Sequence, residues 1–338
     1  MGTGSTKHKS AKKLMKDLFD MKKLARPVYV PLVYGYASKI SQVPLEEMMG
    51  DPLKLSKGLI MSQELFGYDG IFTNYDNYLE IELLGSSFGW VDKQIMNELV
   101  SKKRKSLITG KALSSLLEIG QLPVVYESVG QLCEVVGRET PVIGVLNSPV
   151  TLVNIILGDK YPLWGGHRDI LKEPLNDAQA VILDLIKAYC NHRVDAIWFI
   201  EEDWSKMTED DMEWLSPLYD TFWKVTQYFD VKSVMAFHDY DINNIEKYFG
   251  MGSDGVFFGG DKAVALSVRS LAELVDQYSV CAGIGCPLAD NNEMAGHLEE
   301  LLESVKDIGQ GFFLSTPWEV DPELPVDLIH KTMDIVRD

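Results

Sequence analysis

The sequence predicts a (β/α)8 TIM barrel, because eight short apolar segments alternate with amphipathic helical segments along the chain. The length of 338 residues suits one large α/β barrel. A doubly wound open sheet is the main alternative, but none of the predicted strands is followed by a glycine-rich nucleotide turn. The stretch Gly250–Gly255 matches such a turn by its letters, yet it leads into a predicted strand. The barrel is therefore the favoured fold.

The predicted strands are runs of β-branched and aromatic residues, each ending in polar residues or glycine. In chain order they are Val28–Val33, Gly70–Thr73, Val142–Leu146, Ala196–Ile200, Ser233–Phe237, Gly255–Phe258, Ser279–Ile284 and Gly311–Leu314. Helical segments are predicted at Leu53–Leu65, Ala178–Cys190, Asp210–Tyr228 and Leu298–Asp307. The stretch Tyr75–Thr140 contains no convincing strand, so the connection after the second strand is predicted to be enlarged and to cover part of the barrel mouth.

The chain is predicted to divide into a basic N-terminal helical extension, residues 1–26, and a barrel domain, residues 27–338. The extension carries eight Lys and Arg against two Asp, whereas the whole chain has a net charge of −18. Its apolar positions are Leu14, Leu18, Met21 and Leu24. We interpret this segment as a solvated amphipathic helix in preference to a functional arm.

The composition is that of a globular chain with a large core, since 46% of residues are hydrophobic and 24% are charged. A strongly negative surface repels phosphate backbones and anionic lipids, so neither nucleic acid nor a membrane is an expected partner. A cytoplasmic location is expected, because the sequence shows no secretory signal pattern and no run of about 18 apolar residues. The four cysteines form no C-x-x-C pair, which argues against a zinc ribbon or a thioredoxin-like site.

The residues that follow the predicted strands are acidic and aromatic. In a parallel barrel, functional residues gather at the carboxyl ends of the strands, where the connecting loops converge. The candidates for substrate binding at these ends are Tyr34, Tyr36, Asn74, Asp76, Asn147, Trp204 and Trp318. Rings with hydroxyl or indole N–H groups suit a pocket for a flat apolar ligand, although the same rings would also serve to fill the barrel top.

Acids and a histidine after the fourth and fifth strands are the candidate catalytic residues. Glu202 follows the very apolar run Ala196–Ile200, and burial of such a carboxylate needs a compensating cation. His238 is the only one of the six histidines directly at a strand end. Its position favours a role as metal ligand or proton carrier. Tyr240 and Asp241 follow it closely and complete the candidate set.

Five segments, in the same order along the chain, resemble the uroporphyrinogen decarboxylase superfamily. They are Ala25–Leu32, Glu64–Ile71, Pro141–Leu152, Ala236–His238, and Gly311–Ser315 with Trp318–Val320. The superfamily has a (β/α)8 barrel, in agreement with the strand pattern. Its decarboxylases carry an arginine-containing segment after the first strand, which holds the porphyrin carboxylates. The matching stretch here, Pro31–Ser38, contains no arginine, so the resemblance points away from decarboxylation.

The resemblance implies instead the branch of corrinoid-dependent methyltransferases. These enzymes pass a methyl group between a small substrate and the cobalt of a separate corrinoid protein. Members that methylate thiols bind zinc through a His-x-Cys pair after strand five and a further Cys after strand eight. At the matching positions this chain has His238, Tyr240 and Trp318, so both thiolates are missing. A zinc site built to activate a thiol is therefore not expected.

Members of this branch that cleave methyl ethers are expected to hold zinc with glutamates and a histidine. By this resemblance Glu202 and His238 suit a zinc site, with Glu319 as the second carboxylate and Glu201 or Asp241 as alternatives. Zinc with an open position would polarise an ether oxygen as a Lewis acid. Without a metal, protonation by a side chain such as Tyr240 or His238 would have to assist the leaving group.

The main hypothesis is a methyltransferase that moves a methyl group from a small methoxylated aromatic or methylamine-type donor to the cobalamin of a separate corrinoid protein. The alternatives are a methylcobalamin-to-thiol methyltransferase, a non-catalytic scaffold that binds a corrinoid protein, and a decarboxylase. The basic cluster Lys102–Lys105 is suited to steering an acidic partner, although a solvated helix end explains it equally well. A homodimer is compatible with the sequence.

Overall fold

The computed structural model describes residues 10–75, 79–80, 120–157, 168–202 and 204–337. Within these ranges, eight parallel strands form one sheet with the neighbour order β1-β8-β7-β6-β5-β4-β3-β2. The strands are β1 Val28–Tyr29, β2 Ile71–Phe72, β3 Val142–Asn147, β4 Ala196–Glu201, β5 Lys232–Phe237, β6 Gly255–Phe258, β7 Cys281–Gly285 and β8 Phe312–Ser315. The predicted (β/α)8 barrel is confirmed.

Helices surround the sheet and connect its strands. The described ranges contain α-helices at Ala11–Phe19, Tyr36–Ser41, Leu45–Met49, Pro52–Phe66, Leu122–Val135, Pro149–Leu157, Arg168–His192, Glu209–Tyr228, Glu246–Phe249, Val268–Tyr278, Asn292–Ile308 and Val326–Arg337, with 3-10 helices at Ile242–Asn244 and Asp261–Ala265. Some of these helices begin with a side-chain cap. Asp51 accepts backbone hydrogen bonds from Leu53 and Lys54, and Thr208 forms a capping box with Asp211. None of the described helices has the length and apolar character needed to cross a bilayer.

Asp69 joins β1 to β2, between which the described backbone shows no strand ladder. Its amide donates to the Tyr29 carbonyl at 2.9 Å, and its carboxylate accepts from the Tyr29 amide at 2.9 Å. The same carboxylate accepts from both terminal nitrogens of Arg26 at 2.6 Å. Bidentate pairs of this kind are strong and fix geometry. The barrel is therefore closed at this seam by a buried side chain.

Aromatic rings fill the middle of the barrel. The Trp198 ring centroid lies 4.7 Å from that of Phe72, 4.8 Å from that of Phe257 and 5.8 Å from that of Phe313. All four side chains are nearly fully buried. The interior is thus a packed core and not a channel. At the carboxyl ends of the strands, this core forms the floor of the barrel mouth.

The N-terminal helix Ala11–Phe19 closes the opposite end of the barrel. Leu14 and Leu18 are buried in the same cluster as Val28 and Cys281, at the starts of β1 and β7. Lys12 pairs with Asp195 at 3.1 Å, at the edge of this contact. The helix is amphipathic, as predicted, but its apolar face is part of the barrel core.

Three of the predicted strands, β1, β2 and β7, are shorter in the structure, and local features explain the shortening of β1 and β7. β1 ends at Tyr29 instead of Val33, because Pro31 has no N–H to continue a ladder. The amide of Leu32 instead donates to Thr316 Oγ1 at 2.9 Å. β7 starts at Cys281 instead of Ser279, because Ser279 adopts a left-handed conformation with φ of 53° that ends the preceding helix. Most of the enlarged connection after β2, including Lys102–Lys105, lies outside the described residues.

Candidate active site at the barrel mouth

His238 lies at the centre of the mouth, directly after β5. Its side chain is 7% exposed, and its ring centroid lies 6.2 Å from that of Phe257 in the floor below. Its amide donates to the Glu201 carbonyl at 3.2 Å, which ties it to the end of β4. Burial lowers the pKa of His238 to about 4, so the imidazole is neutral at physiological pH.

Tyr75 holds one nitrogen of this imidazole. Its hydroxyl lies 2.8 Å from His238 Nε2. Burial, followed by the nearby charges of Glu319 and Glu202, raises the pKa of Tyr75 well above 10, so the phenol keeps its proton. We therefore assign the phenol as donor to Nε2, which leaves the imidazole proton on Nδ1. Nδ1 is buried and has no hydrogen-bond partner among the described residues.

Trp318 covers the other face of His238. The two rings stack with centroids 5.0 Å apart and an interplanar angle of 19°. The indole N–H donates to Asp261 Oδ1 at 2.8 Å, while the Trp318 side chain remains 45% exposed. Gly260 lies against the backbone of His238, where its φ of 68° favours glycine and a side chain would collide with the His238 carbonyl. Trp318 therefore forms an accessible aromatic rim beside a buried imidazole.

Two glutamates complete the polar part of the mouth. Glu202 follows β4, and its amide donates to Thr151 Oγ1 at 3.1 Å. Glu319 Oε1 accepts a hydrogen bond from the Gly35 amide at 2.5 Å. After burial, the charges of both carboxylates raise the pKa of Tyr75, so both lie within electrostatic reach of its phenol. Of the predicted set, His238 and Trp318 are in contact, and Glu202 and Glu319 lie at the same end of the barrel.

The predicted zinc ligands are not arranged as a metal centre. Among the described residues, no three His, Cys, Asp or Glu side chains are grouped so that they could hold a metal ion. His238 Nε2 is engaged by Tyr75, and Glu319 is engaged by the Gly35 amide. A zinc centre needs three or four such ligands converging on one point. As placed, Glu202, His238 and Glu319 do not fit zinc.

The family model described as uroporphyrinogen decarboxylase (URO-D) matches residues 10–338. The chain belongs to the uroporphyrinogen decarboxylase family. The resemblance found in the five sequence segments is therefore confirmed over nearly the whole chain.

Solved structures share the fold of this family member at low sequence identity. A methyltransferase from Methanosarcina mazei superimposes with a TM-score of 0.78 at 16% identity, covering 98% of this chain and 99% of that chain. A B12-independent methionine synthase from a Shewanella species, in complex with selenomethionine, gives a TM-score of 0.52 at 14% identity, with 93% and 94% of the two chains covered. A search of curated protein sequences finds no match.

Two residues predicted to be catalytic in this URO-D family member lie away from His238. Tyr240 is fully buried in the layer between sheet and helices, with its ring centroid 5.1 Å from that of Phe258. Asp241 accepts a hydrogen bond from the Asn243 amide at 3.1 Å and so caps a short helix. The alternation of strand β5 does not continue past His238, which is why spacing alone misplaced both residues.

Three aromatic residues predicted to bind substrate belong instead to the outer core. Tyr36 is buried and donates to the Leu324 carbonyl at 2.9 Å. Trp204 is buried with its ring centroid 5.2 Å from that of Phe237. Tyr34 is 4% exposed within the same outer cluster. These rings stabilise the wall of the barrel and are not part of the mouth.

The predicted amides also have structural partners. Asn74 Oδ1 accepts from the Tyr189 hydroxyl at 3.0 Å. Asn147 donates from its backbone and side-chain nitrogens to the two oxygens of Glu80, at 3.0 and 2.6 Å. Glu80 is 1% exposed, so this contact anchors part of the connection after β2 to the end of β3. Asp76, the remaining predicted residue, lies outside the described residues.

Two features were not predicted from the sequence: the contact of Tyr75 with His238, and the position of Glu201 outside the mouth. Tyr75 comes three residues after β2, a position that marks it as a mouth residue but does not reveal its contact with His238. Glu201, considered as an alternative zinc ligand, is instead fully buried on the helix side of β4. Burial is the largest effect on its carboxyl and raises the pKa of Glu201 to about 8. Strand alternation was the available signal, because it sends Glu201 and Glu202 to opposite faces.

Proposed function

We propose that this protein is a methyltransferase that takes a methyl group from a small methoxylated aromatic or methylamine-type donor and passes it to the cobalt of a separate corrinoid protein. The observation that carries this proposal is the neutral His238 imidazole, whose Nδ1 has no partner among the described residues at the mouth. The overall likeness to a methyltransferase fold, with a TM-score of 0.78, supports the same reading.

The chemistry requires stabilisation of the group that the methyl leaves. When an O–CH3 bond breaks toward a nucleophile, negative charge develops on the departing oxygen. A neutral imidazole N–H is a suitable hydrogen-bond donor for this charge, and His238 Nδ1 carries the unused proton. Tyr75 holds the ring in this tautomer through Nε2. His238 would thus assist the leaving group without being methylated itself.

The aromatic rim would position the donor. Trp318 presents an exposed ring at the edge of the mouth, stacked on His238. A methoxylated aromatic ring or a methylammonium group can pack on such a surface through dispersion or cation–π attraction. Holding the methyl carbon in line with its acceptor is a large part of the rate enhancement available to a transfer reaction.

The corrinoid of a partner protein would supply the strongly nucleophilic cobalt that accepts the methyl group. The partner must approach from the carboxyl ends of the strands, because the opposite end of the barrel is closed by the helix Ala11–Phe19. Decarboxylation is less well supported, although the family takes its name from it. The stretch Pro31–Ser38, after β1, contains no arginine to hold porphyrin carboxylates.

The test is formation of methylcobalamin by purified protein under reducing, oxygen-free conditions. Reduced corrinoid protein is mixed with a panel of methoxyarenes and methylamines, and the cobalt absorption spectrum is followed. We expect methylation from at least one donor, with loss of the rate in His238→Ala. His330→Ala is the matched control, because His330 packs against Phe66 in the outer layer. Failure of every donor would contradict the proposal.

A further inference from the structure

The carboxyl of Glu201 lies behind the mouth and is not part of the proposed reaction. It faces away from the barrel interior and is fully buried. The Tyr219 hydroxyl donates to Glu201 Oε1 at 2.7 Å, and the Ser148 hydroxyl lies 2.5 Å from Oε2. Tyr219 belongs to the helix Glu209–Tyr228, and Ser148 follows β3. One side chain therefore connects the end of β4 to the residue that follows β3 and to the helix that follows β4.

This connection continues through hydroxyl groups to the backbone of the mouth. Ser148 Oγ lies 3.2 Å from Thr151 Oγ1, which donates to the Ile200 carbonyl at 2.9 Å. Thr151 Oγ1 also accepts from the Glu202 amide at 3.1 Å. A continuous hydrogen-bonded chain thus runs from Glu201 to the amide of the glutamate that faces the mouth.

The backbone of Glu201 reaches the other side of the site. Its carbonyl accepts from the His238 amide at 3.2 Å. Glu201 therefore has its side chain in the helix layer, while its backbone carbonyl is hydrogen-bonded to His238. A shift of the β4 end would move Glu202 and His238 together.

The number of hydroxyl protons indicates which protonation state of Glu201 suits this hydrogen-bonded chain. Ser148 has a single hydroxyl proton but two oxygen neighbours, Glu201 Oε2 and Thr151 Oγ1. If Glu201 is a neutral acid, it donates to Ser148, Ser148 donates to Thr151, and Thr151 keeps its bond to Ile200. With an ionised Glu201, Ser148 has to donate to the carboxylate, and either the bond from Ser148 to Thr151 or the bond from Thr151 to Ile200 is lost.

We propose that Glu201 is a positioning residue, whose carboxyl joins Tyr219 to Ser148 and Thr151 and thereby fixes Glu202 and His238 in the mouth. This inference rests on the proposed function for its kinetic consequence. Its structural consequence, the orientation of His238, can be measured without any substrate.

The test compares Glu201→Gln with Glu201→Leu. The amide of Gln can accept from Tyr219 and donate to Ser148, as the neutral acid does, so Gln should rescue the chain. Leu fills similar space without any hydrogen bond. We expect Gln to retain kcat within a few-fold, and Leu to lower kcat by about 10²-fold with little change in KM, since misplacement by about 1 Å has effects of this size.

A second pair of variants tests the same role in case Glu201→Leu does not fold. Ser148→Ala removes the link to Thr151 while leaving Glu201 in place, and it should also lower kcat with little change in KM. Ser128→Ala is the matched control, because Ser128 is equally buried and its hydroxyl donates to the Val125 carbonyl at 2.7 Å, away from the mouth. Ser128→Ala should leave kcat unchanged.

The readout that needs no substrate is the NMR signal of the His238 side chain, assigned by its loss in His238→Gln. We expect this signal to move in Glu201→Leu and Ser148→Ala but not in Glu201→Gln or Ser128→Ala. An unmoved signal in folded Glu201→Leu and Ser148→Ala would overturn the positioning role, even if methyl transfer is found. A moved signal without methyl transfer in the wild type would support positioning and refute the proposed function.

Discussion

Among the described residues, His238 Nδ1 has no hydrogen-bond partner, because the side chains around the imidazole are mostly aromatic. Phe257 lies below the ring and Trp318 lies above it, and neither accepts or donates at Nδ1. Burying a polar atom without a partner is costly, so such atoms are rare in folded proteins. At the mouth of a barrel, where ligands bind, this cost is best explained by a ligand that completes the bond.

Tyr75→Phe tests the role of the phenol. Without its hydroxyl, His238 Nε2 loses its partner, and the tautomer with the proton on Nδ1 is no longer favoured. We expect the methyl-transfer rate to fall by about 10- to 100-fold, which is at the low end of the rate enhancement that a positioned proton donor supplies. The measurement is kcat with a saturating donor. Tyr278→Phe, which loses an exposed bond to Glu246, should retain the wild-type rate.

At the scale of the strands, the alternation of side chains explains which site residues could be predicted. At the end of β4 it places Glu201 and the next residue, Glu202, on opposite faces, so the separate positions of the two acids follow from the sequence pattern. Beyond the end of β5 the alternation stops, and Tyr240 turns into the helix layer instead of the mouth. The contact between Tyr75 and His238 joins β2 to β5 and leaves no local sequence signal.

Glu201 should make stability depend on pH. Its pKa is raised from 4.5 to about 8 in the folded chain, so folding takes up a proton between these values. Its carboxyl therefore opposes folding increasingly as the pH rises from about 4.5 to 8, by about 3–5 kcal/mol in total. Urea unfolding at pH 5 and pH 8.5 measures this change. Glu201→Gln should lose less stability than the wild type over this interval, and equal losses would contradict the shift.

Asp69 should be the most sensitive residue of the seam between β1 and β2. Asp69→Asn removes the charge that both Arg26 nitrogens share, while preserving the size of the side chain. We expect the free energy of unfolding to fall by about 1–3 kcal/mol. Denaturant titration provides the measurement. Asp20→Asn disrupts an exposed pair with Lys22 and should have little effect, so equal losses for the two variants would argue against a seam held by Asp69.

At the scale of the whole molecule, the barrel was predictable because each strand is an apolar run long enough to be buried on both sides. The eight predicted strands all overlap the observed ones. The N-terminal helix is less obvious, because its basic residues suggest a solvated segment while Leu14 and Leu18 are in the core. The charged residues of such a helix indicate which face is exposed, but the sequence does not show what packs against the apolar face.

Leu18→Ala tests whether this helix is part of the barrel. Leu18 is fully buried at the closed end, so truncation should leave a cavity and lower the free energy of unfolding by about 2–5 kcal/mol. Thermal or denaturant unfolding would show the change as a single transition. Leu53→Ala is the control, because Leu53 is 65% exposed and its loss should be nearly neutral. A neutral result for Leu18→Ala would mean that the helix is a detachable arm.

The most direct test of the central claim is the transfer of an isotope-labelled methyl group from a methoxyarene or methylamine to the cobalt of a corrinoid protein, followed in a single turnover. The account predicts that the wild type transfers the label and that His238→Ala transfers it at least about 100-fold more slowly, in line with the loss of one well-placed hydrogen-bond donor. Label transfer at an equal rate in both proteins would contradict a role for His238, and its absence from both would contradict methyl transfer itself.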